Sequence, residues 1–271
     1  MPEVLPALFR ATHPVPAAAV TALAGAVVAV RGAGPAVTAL ATASTLAGQL
    51  SVGWSNDYLD GGEDAAAGRR DKPIVAGEVS PSAVWWSATA AFPVSVALSI
   101  PLGLPSATVM AAALTSAWAY NLGLKRTVLS WAPYALSFGL APVYLWLAGG
   151  EGLPEGWIVG AAACLGVAGH LTNVLPDLEA DRARGARGLP HRLGPRGSLA
   201  AAAVALSATL GLALGLGSGP DGGTLAAAAV AAALVIAVVA AGAMGKGRAA
   251  FLLTIAAAAA VVAVFLLSAP R

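Results

Sequence analysis

Asn56-Asp57-Tyr58-Leu59-Asp60-Gly61-Gly62-Glu63-Asp64 follows an apolar stretch rich in small residues, and its reading decides how the rest of the chain is understood. On a helix, Asp57, Asp60 and Asp64 are separated by steps of three and four, so their carboxyl groups project as one stripe. A second string, Asn173-Val174-Leu175-Pro176-Asp177-Leu178-Glu179-Ala180-Asp181, repeats this grammar 120 residues further on, counted from Asp57 to Asp177, with Asn173, Asp177 and Asp181 at steps of four. Carboxylates held this close repel one another unless a cation is shared among them. Mg2+ usually keeps several waters and takes one or two carboxylates plus the phosphate oxygens of a substrate. Two acid stripes at the polar ends of apolar helices therefore predict a metal and diphosphate site at a membrane face.

Composition puts the helices in lipid. The chain is 58% hydrophobic and 10% charged, against about 25% charged in an ordinary soluble domain. Runs of about 20 apolar residues cross about 30 Å of hydrocarbon. Such runs stand at about 16–30, 36–54, 83–100, 105–121, 128–148, 156–174, 198–217, 224–244 and 249–268. The expected fold is an all-α membrane protein of nine transmembrane helices in a single integral-membrane domain over residues 1–271. The acid strings follow the second and sixth runs, which points to two four-helix units plus a ninth helix. Met1 to Pro16 lacks a basic segment leading into an apolar stretch with a small-residue cleavage site, so the first run is expected to remain in the mature protein. Cys164 is the single cysteine and leaves no intrachain disulfide to form.

Alternating the nine runs across the bilayer places all fifteen Lys and Arg except Arg31 and Arg271 on one side. That asymmetry marks the cytoplasmic face and puts the N-terminus and both acid strings there, in a multi-pass protein of the cell membrane. The acids gather on the same face, all thirteen except Glu151, Glu155 and Asp221. The net charge of +2 is accounted for by topology and implies no nucleic-acid partner, and nothing in the chain calls for an obligate protein partner.

Asp57, Asp60, Asp64, Asp177 and Asp181 are the candidate metal ligands, with Asn56 and Asn173 on the same stripes as further ligands or helix caps. Phosphate also needs cations. Tyr120-Asn121-Leu122-Gly123-Leu124-Lys125-Arg126 ends the fourth run on the side of both strings, and Lys72 lies eight residues past Asp64. A Lys and an Arg together offer a point charge and a planar fork for a diphosphate, with cytoplasmic anchoring as the alternative account. His170, three residues before Asn173, is placed either to handle a proton on a second substrate or to pack between helices. The Trp and Tyr residues fit an aromatic-walled cavity or interfacial belts. Pro176 is expected to disrupt the helix and release a carbonyl near Thr172. The chain contains no HExxH, CxxC, GxSxG or GxxxxGK[ST], so zinc peptidase, redox and P-loop chemistry have no support. A transporter with midplane carboxylates fits less well, because these acids lie at the ends of the runs.

Taken together, Asn56 to Asp64, the trailing Asp71-Lys72-Pro73-Ile74-Val75-Ala76-Gly77-Glu78-Val79-Ser80, Tyr120 to Arg126, and Asp177 to Asp181 closing on Arg192-Leu193-Gly194 resemble the UbiA superfamily of intramembrane prenyltransferases. The second string is most similar to the menaquinone-pathway branch, whereas Asp71-Lys72-Pro73-Ile74 resembles the RPI segment of other branches with Lys in place of Arg. The Arg-Pro pair that the family carries before its first helix stands here as His13-Pro14. The resemblance implies a nine-helix bundle with cytoplasmic cap loops and two Asp-rich motifs that bind Mg2+ and an isoprenyl diphosphate. It also implies transfer of the prenyl group to a lipophilic or aromatic acceptor, with membrane lipid around the cavity. Asp57 and Asp177 would then be catalytic through the metal, and Lys125 and Arg126 through the leaving diphosphate. Lys72, Tyr120, Asn56, Asn173 and His170 would line the substrates. A terpene cyclase on the same fold, in which the substrate's own double bond captures the cation, is the alternative.

Overall fold

The computed structural model describes residues 4–183, 185–217 and 221–268, and among them every regular element is helical. Arg184 and Arg271, both counted in the charge asymmetry above, lie outside the described residues. The helices are α1 (Val4–Arg10), α2 (Pro14–Val30), α3 (Pro35–Ala66), α4 (Pro81–Ser99), α5 (Leu104–Leu122), α6 (Ala132–Gly149), α7 (Gly156–Asn173), α8 (Leu178–Ala183), α9 (Leu189–Leu216), α10 (Gly222–Ala243) and α11 (Gly247–Ser268). Proline opens α2, α3 and α4, where its fixed φ suits the first turn and its missing N–H is no loss. Ser80 caps α4 by accepting from Ala83 N at 3.2 Å, and Asp221 caps α10 by accepting from Thr224 N at 2.7 Å. Gly194-Pro195 breaks α9, with Gly194 in a non-helical conformation.

Each of the nine apolar runs coincides with a helical segment. By length and composition, however, five segments qualify as membrane spans, or six if α1 and α2, bent by 74°, form one broken span. The polar content of the remaining helices explains the difference. α3 runs for 32 residues, and its ten buried positions are Ala, Gly, Ser, Thr and Asp alone. α5 and α7 likewise bury Ser, Asn, His and Thr.

The chain divides into two compact units, the first running to Leu122 and including Leu147–Gly150, the second made of Gly123–Trp146 and the residues from Glu151 onward. In the first unit a clasp of hydroxyls joins α3 to α4. Ser44 Oγ lies 2.7 Å from Ser99 Oγ and donates to Ser95 O at 2.9 Å; Ser95 Oγ donates to Ser44 O at 2.7 Å, and Ser51 Oγ to Ala88 O at 2.8 Å. At Gly53 a side chain would strike the Thr12 carbonyl 2.4 Å away, so glycine lets the turn before α2 rest on the α3 backbone one turn ahead of Asp57. The segment after α3 is pinned by Ile74 and Val79, which pack with Ala7, Leu8, Trp54, Tyr58 and Val84. In the second unit, α7, α9, α10 and α11 meet over Ala168, Ala202, Ala241, Ala250 and Ala257, with Leu171, Leu206 and Val238 between them. Small residues of this kind let helix backbones approach closely in lipid.

Candidate functional site

The first acid string lies on the last turns of α3, still helical through Ala66, so the expected stripe of Asp57, Asp60 and Asp64 is formed. Its groups are already paired. Lys72 Nζ lies 2.7 Å from Asp57 Oδ1 and 4.0 Å from Asp64 Oδ2, and Arg69 reaches Asp64 at 3.7 Å. Asn56 Nδ2 donates to Asp60 Oδ2 at 3.0 Å. Asn56 is tied in turn to Asn121 Oδ1 at 3.3 Å, and Asn121 donates to Val52 O at 3.0 Å and to Ser55 Oγ at 2.8 Å. Burial raises the Asp64 carboxyl above the ordinary carboxylate range; Lys72 and Arg69 pull it down, and Asp60 and Asp57 push it further up. The Asp57 side chain is 1% exposed, and its Oδ2 has no hydrogen-bond partner.

The second string is built differently. α7 ends at Asn173, Val174 to Asp177 form a turn, and α8 begins only at Leu178, so Asn173, Asp177 and Asp181 do not form one helical stripe. Pro176 supplies the reason, since its ring nitrogen cannot donate to the carbonyl of Thr172. That carbonyl is not left open as expected, because Leu175 N donates to it at 3.3 Å. Asp177 O accepts from Asp181 N at 2.9 Å, which joins the turn to α8. Asn173 and Asp177 are exposed and Asp181 is half-buried.

Lys125 is half-buried and Arg126 exposed on a 3-10 turn at Leu124–Arg126 that belongs to the second unit, whereas Tyr120 and Lys72 belong to the first. Gly188, at the start of α9, leaves room for the Lys125 carbonyl, which a side chain there would meet at 2.5 Å. His170 is buried, its Nε2 3.0 Å from Ser130 Oγ and its ring 4.9 Å from Tyr134. Ser130 Oγ also accepts from Leu189 N at 2.9 Å, so His170 forms part of the joint between α7 and α9.

Three polar residues at these sites were not among the sequence candidates. Asn121 organises the Asn56 side of the first stripe, and its only sequence signal is membership of the Tyr120–Arg126 string. His13 sits at the α2 cap with φ 55°, a left-handed conformation uncommon outside glycine, within reach of Asn56, Asp57, Asp60 and Lys72. His191, whose side chain is 9% exposed, places Nε2 3.7 Å from Asp181 Oδ2, and neither ring nitrogen has a hydrogen-bond partner. It stands one residue before Arg192-Leu193-Gly194.

Among the described residues no three His, Cys, Asp or Glu side chains form a ready-made metal cage. The donors are nonetheless the oxygens a hard divalent cation takes, and one buried oxygen of Asp57 lacks a partner. The residues of the first string thus fit a cation that brings further ligands of its own. Beyond them, rings follow one another from Tyr58 to Trp85 at 4.8 Å and from Trp85 to Trp118 at 5.7 Å, with Phe92 6.0 Å from Trp118. Phe92 and Trp118 line a shallow, open apolar groove between α4 and α5.

A family model described as the UbiA prenyltransferase family matches residues 18–249. The fold is similar to that of an apo UbiA homologue from Aeropyrum pernix K1, with a TM-score of 0.71, 20% identity, and coverage of 97% of this chain and 98% of that one. It is also similar to a UbiA homologue from Archaeoglobus fulgidus bound to GPP and Mg2+, with a TM-score of 0.66, 19% identity, and coverage of 94% and 99%. A digeranylgeranylglyceryl phosphate synthase structure matches with a TM-score of 0.69 and 13% identity, covering 99% of each chain. No curated protein matches the sequence.

Proposed function

The chain belongs to the UbiA prenyltransferase family, and from that membership we propose that it transfers the prenyl group of an isoprenyl diphosphate to an aromatic or quinone-precursor acceptor within the membrane. The observation that carries this reading is Asp57, a buried carboxylate on an oxygen-rich stripe with a cation on one oxygen and no partner on the other. Similar folds hold GPP or DMAPP together with Mg2+ in the Archaeoglobus fulgidus homologue. In this chain Asp57, Asp60 and Asp64, and separately Asp177 and Asp181, would hold Mg2+, which when bound acts as a Lewis acid on the leaving diphosphate. Asn56 orients Asp60 through their hydrogen bond. Lys125 and Arg126 neutralise the departing diphosphate, and Lys72 binds it. Tyr120, Asn173 and His170 are assigned to the substrate side.

The test uses purified protein in detergent with Mg2+ and prenyl diphosphates from dimethylallyl to geranylgeranyl, with and without aromatic acceptors, the products being identified by mass. A prenylated acceptor with equimolar diphosphate is the expected result. A cyclised hydrocarbon formed without acceptor would assign the terpene cyclase reading instead, and consumption of no diphosphate would overturn both. Both acid strings are proposed to face the cytoplasm. A cysteine introduced at Gly185 should then react with an impermeant thiol reagent only from that side, and reaction in intact cells would invert the topology.

A further inference from the structure

A carboxylate as buried as Asp57 costs several kcal/mol unless it is compensated, and Lys72 provides the compensation in this structure. Its ammonium stands at 2.7 Å from Asp57 and 4.0 Å from Asp64, between two carboxylates of the stripe, where a shared cation would sit. Arg69 is not its equivalent, because within the stripe it reaches Asp64 at 3.7 Å while its shorter contact, 3.2 Å, is to Asp71 outside it, and its side chain is 34% exposed against 14% for Lys72. The backbone that carries Lys72 is fixed on both sides. Lys72 N donates to Arg69 O at 3.1 Å, Ala76 N donates to Lys72 O at 2.9 Å, and Ile74 and Val79 are packed against Ala7 and Val84. Only the flexible four-carbon stem is left to move. The unpartnered Oδ2 of Asp57 shows that one ammonium does not complete the site.

These facts oppose the two roles open to Lys72, since a group that neutralises Asp57 is not free for a diphosphate. We propose that Lys72 is a tethered counter-cation that closes the first half-site to free divalent metal, and that the half-site accepts metal only together with a diphosphate, onto whose oxygens Lys72 moves. Free metal would set two positive charges beside an ammonium whose carboxylate partners, Asp57 and Asp64, the metal would itself take. A diphosphate supplies that anion, so metal and Lys72 exchange places without leaving a buried charge alone. This inference rests on the reading of the Asp57 stripe as a metal site.

The experiment counts Mn2+ bound to full-length protein in detergent by equilibrium dialysis, with and without geranyl diphosphate. Wild-type protein is expected to hold Mn2+ weakly alone and at least about tenfold more tightly with the diphosphate. Lys72→Met should hold Mn2+ alone at least about tenfold more tightly than wild type, the size of one charged hydrogen bond removed, and gain less from diphosphate. Lys72→Arg, whose fork grips carboxylates more firmly, should hold free Mn2+ no more tightly than wild type. Arg69→Met should change free Mn2+ binding by less than about threefold, as a screened neighbouring charge would. Unchanged Mn2+ binding in Lys72→Met, or an equal gain in Arg69→Met, overturns the proposal. If Lys72→Met does not fold, wild-type protein decides, because equal affinity for Mn2+ with and without diphosphate overturns it as well. The metal reading beneath it fails by a different sign, namely an Asp60→Asn protein that binds Mn2+ with diphosphate as wild type does.

Discussion

The two acid strings use the same residue types and present them by opposite means. In the first, α3 continues without interruption past Asp64, its acids are buried to different depths, and Lys72 and Asn56 already hold two of them. In the second, Pro176 ends the helix, a turn intervenes, and Asp177 is exposed ahead of the six-residue α8. A rigid, pre-neutralised stripe and an open turn carry different costs. The first must give up the ion pair between Lys72 and Asp57 to take a ligand, whereas the second presents Asp177 at the surface.

The largest expected effect separates activity from stability. Asp57→Ala and Asp177→Ala should each lower turnover by about a thousandfold, because metal charge stabilisation is worth several kcal/mol. Only Asp57→Ala should also lower the Tm of metal-free protein, since breaking a buried ion pair costs ~3 kcal/mol and Asp177 is exposed. Equal Tm values for the two variants would erase the contrast. Normal turnover in either would remove that residue from the metal site.

Lys125→Arg sharpens the same contrast on the cationic side. If Lys125 meets the diphosphate as a compact point charge, the planar Arg displaces that charge, and kcat and kcat/KM fall together by roughly 10- to 150-fold. Unchanged kinetics would leave Lys125 as an anchor of topology.

The smallest effect concerns charge within the first stripe. Ionising Asp64 costs more in the folded protein than in the unfolded chain, so its charge subtracts from stability above the ordinary carboxylate range and subtracts nothing below it. Asp64→Asn is therefore expected to raise the metal-free Tm near neutral pH, by less than the ~2–4 °C that 1 kcal/mol would bring. The gain should vanish in acid. A gain that persists at low pH would have some other origin than this carboxyl.

The first stripe was legible in the sequence because helix periodicity alone sets it, and α3 is continuous from Pro35 to Ala66. The second was read as a stripe by the same rule. There the rule met Pro176, whose effect on the helix was foreseen but whose freed carbonyl is taken up by Leu175 N. His191 was beyond reach for another reason, and His13 was marked only by standing where the resembling family carries an Arg-Pro pair. Their positions depend on distant backbone contacts, Thr12 against Gly53 and Lys125 against Gly188, and no local spacing encodes those. The nine apolar runs mark helices correctly, yet hydropathy does not treat them alike, because α3, α5 and α7 bury hydroxyls, amides and an imidazole where α10 and α11 are alanine-rich.

The serine clasp between α3 and α4 bears on how the protein is made. Hydroxyls that answer to Ser95 O and Ser44 O have those partners only when both helices are side by side. α3 by itself offers the bilayer Thr38, Thr42, Ser44, Thr45, Gln49, Ser51 and Ser55, a poor sequence for solitary release from a translocon. It should therefore wait for α4 and enter as half of a helical hairpin. A glycosylation reporter should record poor insertion of residues 35–66 alone and efficient insertion of 35–102, so that the newborn chain commits its first acid string to the membrane surface only after the helix that follows it has been synthesised.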